Sequence, residues 1–309
     1  MAITYNTNQN FEIESMLIIN KLEFSQNFRS ILQQAGQIPP LPETARQLFK
    51  LRNHPEANLE QLTELIEKDP ALAAFIMKYA RMSIFGYGNR INSVHLAVSL
   101  VLGFNTALNL ALGIISSGCL QLPNHGTLGR IRIWNQALEG AALCRELCHI
   151  MTEKHLIDCE LIYLSGLFHN FGYFLFGHLY PKEFSYLNDL VTRYPEQDAR
   201  ALQLQVFGIT HDTIGMYLIK AWDLPEEIAV AVAEQNFPDY SGKHASCVKL
   251  LALANRLLQD QAQADGCPYI DTLALMECLG IDENAAHAAQ EKIRGCQSEF
   301  HTLAQDLAA

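Results

Sequence analysis

The chain has 309 residues, 49% hydrophobic and 18% charged, which is the composition of an ordinary globular protein and excludes an intrinsically disordered one. That length can bury one large core or two adjoining ones. A net charge of −11 and a pI near 5.4 argue against general binding to DNA or RNA, which calls for a basic face.

Apolar residues recur at i, i+3, i+4 and i+7 along most of the sequence and alternating patterns are scarce, so an all-α fold is predicted. A first helix over about 12–35 stops at Gly36. The prolines of Ile38-Pro39-Pro40-Leu41-Pro42 then form an extended connector, and Pro42 opens a helix over Glu43 to Arg52. Asn58 and Gln61 spell a capping box for a helix running to about Lys68. Asp69 as N-cap and Pro70 in the first turn start the next. A further helix begins at Asn92 or Ser93 and ends near Gly103.

The apolar stretch Val94 to Ser117 is interrupted by His95, Ser99, Asn105 and Asn109 and reads as buried core helices, not a membrane span. The turn residues Pro123, Asn124 and Gly126 precede a second bundle. Its helices are predicted over about 130–150, 158–171, 182–192, 196–207, 210–221, 225–235, 244–262, 268–279 and 282–305. The expected organisation is a leading helix over 1–36, an N-terminal lobe over 37–122 and a second lobe over 123–309. With no low-complexity linker, the two bundles should pack closely. Met1 to Glu12 is polar without a basic region, unlike a signal peptide, so a cytoplasmic location is expected.

Eight cysteines include no Cys-x-x-Cys pair and are expected to be mostly buried thiols. Cys144, Cys148 and His149 fall near one helical face, but Ala141 to Cys148 reads as a plain amphipathic helix. His149, His155 and His178 read as surface or satisfied residues. Phe168, Phe171, Tyr173, Phe174 and Phe176 read as core. No Gly-rich phosphate loop, Gly-x-Ser-x-Gly or His-Glu-x-x-His is present.

The most informative stretch is Gly166-Leu167-Phe168-His169-Asn170-Phe171-Gly172. It resembles the Gly-Leu-Leu-His-Asp-Ile-Gly helix of the HD superfamily of metal-dependent phosphohydrolases, whose adjacent His and Asp ligate a metal. Here Asn170 stands in the Asp position, and an amide offers a dipole where a carboxylate offers a charge. The wider pattern, over about 35–240, resembles the HDOD domain, an HD-related output domain of bacterial signalling proteins. Ile38-Pro39-Pro40-Leu41-Pro42, Asp69-Pro70-Ala71-Leu72, Phe85-Gly86, Ile91-Asn92-Ser93 and Ala97 to Gly103 fall in the family's order. Trp134, His211-x-x-x-Gly215 and Trp222-Asp223-Leu224-Pro225 match its second half. Arg81-Met82 departs from the usual Asn-Ser.

The resemblance implies a pocket whose metal ligands are mostly replaced. The first His position holds Gln136, or Asn135 if the register slips by one. His169 survives beside Asn170, and His211 survives. The later His-His pair falls on Gln235-Asn236, and the closing Asp on Asn255. Asp212 makes the only literal His-Asp pair with His211, but it follows the lone helix His and reads as a charge in a first helical turn after Thr210.

These replacements imply no catalytic residue, no resident cofactor, and a regulatory module that binds a protein partner or a small signalling ligand. The alternatives are a phosphohydrolase with a divalent metal on His169 and His211, and a sensor that binds a nucleotide or phosphate in the vestigial pocket. The acidic charge favours a basic partner surface. Its natural docking places are the exposed faces of the N-terminal bundle and the junction between the lobes.

Overall fold

In the computed structural model, which describes residues 24, 26–28, 30, 38–124, 126–152, 157–259 and 271–309, the first helices start where their caps predict. Helix α1 (Glu43–Arg52) follows Pro42. Helix α2 (Leu59–Glu67) carries the full capping box: Asn58 accepts from the Gln61 N–H at 3.0 Å, and the Asn58 N–H donates to Gln61 Oε1 at 3.1 Å. Helix α3 (Pro70–Ala80) begins with Asp69 accepting from the N–H groups of Ala71 and Leu72. Most of the predicted leading helix lies outside the described residues, as do His155 and Cys267.

Helix α4 (Val94–Leu96), capped by Ser93, continues through a π-helical stretch at Ala97–Leu102. Gly103 then adopts φ +76°, a backbone conformation that costs glycine little and other residues much. There the chain bends by 120° into α5 (Phe104–Ser117). The long apolar stretch is thus folded back on itself as two pieces, the second largely buried and the first buried on one side, at Val94, Ala97, Val98 and Leu102. Among the described residues no single helix is long and apolar enough to cross a membrane.

The second bundle opens with α6 (Arg130–Ile150), which packs along α7 (Cys159–Phe168). Small residues let the two backbones meet: a Cβ on Gly166 would lie 2.8 Å from Ala141 Cα and from the Gly140 carbonyl. Helices α8 (Phe171–Leu179), α9 (Pro181–Arg193), α10 (Ala199–Val206), α11 (His211–Ala221), α12 (Glu226–Glu234) and α13 (Ala245–Leu258) follow. The chain continues as α14 (Thr272–Leu279), α15 (Glu283–Arg294) and α16 (Gln297–Ala308). No strand occurs among the described residues, so the fold is all-α, two helical bundles packed together. Trp134, Phe168, Phe171 and Phe174 meet edge to face in the second core.

The bundles join through α5 on α7 and through α16, which packs on both α3 and α6. The indole N–H of Trp222 donates to the Pro39 carbonyl at 3.0 Å and ties the proline connector to the end of α11.

Three expectations need correction. The single helix over 158–171 is broken at His169-Asn170, and α8 follows where no helix was predicted. Asn170 leaves helical geometry at φ −107°, ψ 6°, and the His169 carbonyl accepts from Gln235 in place of a helical N–H. The single helix over 282–305 is two, separated at Gly295-Cys296, because apolar periodicity runs straight through a break made by one turn. Cys148 and Cys159 are joined in a disulfide instead of remaining thiols. The α6–α7 hairpin sets their Cα atoms 5.7 Å apart, within bonding range, although their spacing matches no cysteine motif. Cys148 is thereby also unavailable as a metal ligand.

Candidate functional site

Helix α6, the α7–α8 break, the first turn of α11, the end of α12 and α13 converge on one buried polar cluster. Asn170 Nδ2 donates to Gln136 Oε1 at 2.9 Å. Gln235 Nε2 donates to the His169 carbonyl and to Asp212 Oδ1, each at 3.0 Å. Asn255 Nδ2 donates to Gln235 Oε1 at 2.8 Å. His211 Nε2 lies 3.0 Å from Asp212 Oδ1. The structure therefore brings Gln136, His169, Asn170, His211, Gln235 and Asn255 together, Gln136 and Asn170 as one hydrogen-bonded pair and Asn255, Gln235, Asp212, His211 and the His169 carbonyl as a second group. Gln136 makes the link to Asn170, whereas the buried Oδ1 of neighbouring Asn135 has no hydrogen-bond partner.

Glycines set this geometry. Gly172 presses α8 onto α11 so closely that a Cβ there would lie 1.9 Å from the His211 carbonyl oxygen. Gly140 lets the His169 ring lie against α6, its would-be Cβ 3.4 Å from His169 Cε1.

Asp212 stands in the first turn of α11 after the Thr210 cap, as expected, and is also more than a helix-start charge. It is 1% exposed and forms the hub of the cluster. Arg200 Nε donates to Oδ2 at 2.9 Å, Asn236 Nδ2 reaches both oxygens at 3.2 Å, and Gln235 holds Oδ1. The Arg200 guanidinium also lies 4.7 Å from the Phe237 ring centre. A buried carboxylate needs a cation and hydrogen bonds, and Asp212 has both.

Sequence reasoning also missed Gln203 and Tyr173. Gln203 accepts from the His211 N–H at 2.6 Å and donates to the Tyr173 hydroxyl at 2.9 Å. The Tyr173 ring stacks on His211 at 4.2 Å. No local signal marks a buried glutamine or its stacked tyrosine.

The His169 Nδ1 lies 2.7 Å from the Gly166 carbonyl, which only accepts, so Nδ1 carries the proton and donates. Burial pushes this imidazole down from 6.5 to about 4, with the Gly166 bond acting weakly the other way. Burial likewise lowers His211, against the opposing pull of Asp212.

A histidine whose folded pKa is depressed binds fewer protons folded than unfolded, so it lends stability above the unfolded pKa that is lost as pH falls. We expect the His169 contribution to fall by about 2 kcal/mol between pH 7 and pH 5. Urea midpoints of the parent and of His169→Gln over that range check this, with a flatter dependence in the variant. Equal slopes in both would refute the account.

The donor set does not fit a hydrolytic divalent metal. It comprises two imidazoles, amides, and one carboxylate already engaged by Arg200, Gln235 and Asn236, whereas such a metal wants open anionic oxygen beside imidazole. Among the described residues no group of three or more His, Cys, Asp and Glu is placed to hold a metal ion. Elsewhere, His178 Nδ1 accepts from the Gln121 N–H at 3.2 Å and is satisfied.

The HDOD domain family model matches residues 38–238. An uncharacterized protein from Treponema pallidum (strain Nichols) is 25% identical over 231 residues, 74% of this chain and 44% of that relative. The chain therefore spans less than half the length of that curated relative. Among solved structures, a protein from Marinobacter aquaeolei VT8, provisionally named for signal transduction, superposes with a TM-score of 0.77 at 28% identity. The match covers 94% of this chain and 67% of that one. A protein from Shewanella amazonensis SB2B, provisionally named a phosphohydrolase, superposes with a TM-score of 0.66 at 18% identity. That match covers 90% of this chain and 97% of the other, and is a likeness of fold.

Proposed function

The chain belongs to the HDOD domain family, and we propose that this member acts in signal transduction by binding a regulatory partner, without catalysis. The support is the set of hydrogen-bonded amides in the inherited pocket. Its amides each offer a donor and an acceptor, so the cluster keeps its hydrogen bonds without the charge of a metal. Arg200 supplies the positive charge that Asp212 requires. A small signalling ligand is a second class of input.

The opposing reading is a phosphohydrolase with His169 and His211 as metal ligands. It asks for an anionic oxygen open toward both rings. Asp212 is the carboxylate of this cluster, and both its oxygens already accept from protein donors.

Metal content by plasma mass spectrometry, together with hydrolysis of bis(p-nitrophenyl) phosphate in added manganese or nickel, tests the proposal. We expect turnover no higher than buffer and no change in His169→Ala. Near-stoichiometric metal with turnover, both lost in His169→Ala, would establish the hydrolase instead.

A further inference from the structure

The disulfide Cys148–Cys159 stands where the two helical bundles meet. Cys148 lies in the last turn of α6 and is fully buried, whereas Cys159 is the first residue of α7 and is partly exposed. The residues flanking Cys159 are ones that the N-terminal bundle holds. Asn109 Nδ2 of α5 donates to the Glu160 carbonyl at 3.1 Å, and Thr106 Oγ1 donates to Glu160 Oε2 at 3.5 Å. At the end of α1, the Arg52 guanidinium lies close enough to feel the charges of both Asp158 and Glu160.

Other contacts also hold this hairpin. The backbones of α6 and α7 meet closely at Gly140, Ala141 and Gly166. Thr152 Oγ1, just past α6, donates to the Gly280 carbonyl at 2.7 Å, and Asp158 caps α7 by accepting from the Glu160 N–H at 2.8 Å. None of these contacts uses the sulfurs, so the hairpin keeps the two cysteines within bonding range when the bond opens. The pair is also unequal in the way that suits a sensor: an accessible sulfur meets the reagent and a shielded partner resolves the product. The neighbouring thiols compete poorly. Burial pushes up the ionisation of Cys144, one turn before Cys148, and that of Cys247, the latter to about 11.

We propose that Cys148–Cys159 is a reversible redox switch that stiffens the junction between the bundles when closed and loosens it when open. The oxidant is a small disulfide such as oxidised glutathione. The Cys159 thiolate attacks one of its sulfurs, breaks its S–S bond and releases one small thiolate. Cys148 then gives up its proton and attacks Cys159 Sγ, which breaks the mixed disulfide and releases the second. The two protons of the protein thiols pass to the two released thiolates. Two protein thiols and one small disulfide thus become one protein disulfide and two small thiols, and two small thiols reverse the exchange. The switch acts on the fold and does not depend on what the second bundle binds.

The test equilibrates the full chain in mixtures of reduced and oxidised glutathione. Free thiols are trapped with iodoacetamide in denaturant and read by mass spectrometry, and hydrogen exchange is measured at both ends of the series. Cys148 and Cys159 should open and close together, reversibly, with circular dichroism unchanged. Amides in the first turn of α7 and around Asn109 of α5 should exchange about tenfold or more faster in the open form. Cys159→Ser should exchange like the open form in every mixture, whereas Cys278→Ser, which removes an exposed free thiol, should follow the parent. A bond that opens only in denaturant, or an open form that is unfolded, would make the disulfide a fixed staple and overturn the switch. Equal exchange at α5 and α7 in two folded forms would overturn its reach to the junction.

Discussion

Gly172→Ala is expected to destabilise the fold by more than about 4 kcal/mol and to yield little folded protein. The added Cβ would lie 1.9 Å from the His211 carbonyl oxygen and 2.8 Å from the Gly215 nitrogen. Both obstacles are backbone, so no side-chain rotation relieves them, and α8 must lift from α11. That movement would pull His169-Asn170 away from His211-Asp212 and break the buried bonds through Gln235. Gly88→Ala is the contrasting case. Gly88 sits at φ +52° with nothing within 4 Å of an added Cβ, so only the left-handed backbone penalty applies, about 1–2 kcal/mol. Urea denaturation followed by circular dichroism compares the two. A folded Gly172→Ala within about 1 kcal/mol of the parent would show that α8 and α11 can part freely.

Arg200→Met should cost about 3 kcal/mol by leaving Asp212 buried without its cation. The figure is set at the low end because the Arg200 side chain keeps 22% of its surface in water. Removing the charge from both partners should largely restore stability. Arg200→Met with Asp212→Asn leaves an amide beside Gln235 and Asn236 and no uncompensated ion, so its cost should fall well below the sum of the single changes. A double-mutant cycle of urea midpoints measures the coupling. Additive effects would mean that Arg200 contributes packing on Phe237 alone and leaves Asp212 to its hydrogen bonds.

The parts of this molecule legible in its sequence are those fixed by neighbours along the chain. The capping box at Asn58, the Asp69-Pro70 start and the Thr210 cap each join residues two or three apart, so residue type and spacing suffice. The amides of the pocket are legible only through resemblance, because nothing local distinguishes Gln136 or Asn255 from any other helical amide. Asp212 and Arg200 escape both approaches. In sequence Asp212 is an ordinary first-turn acid, and only the packing of α10 and α12 against α11 buries it and brings Arg200 to it. The break at His169-Asn170 is hidden for a related reason, since its cause, Gln235 on the His169 carbonyl, comes from 66 residues away.

Helix α16 carries a consequence for the order in which this protein can be made. It holds α3 through Lys78–Asp306, and the turn after α3 through Glu299, which accepts from the Ser83 N–H, contacts spanning 228 and 216 residues. At cellular rates of synthesis, α3 emerges on the order of 10–50 s before α16 exists to cover it. During that interval the apolar side of Tyr79, against which Phe300 later packs, has no partner from α16. The apolar face of α3 is therefore left without its α16 partner until more than 200 further residues have been made.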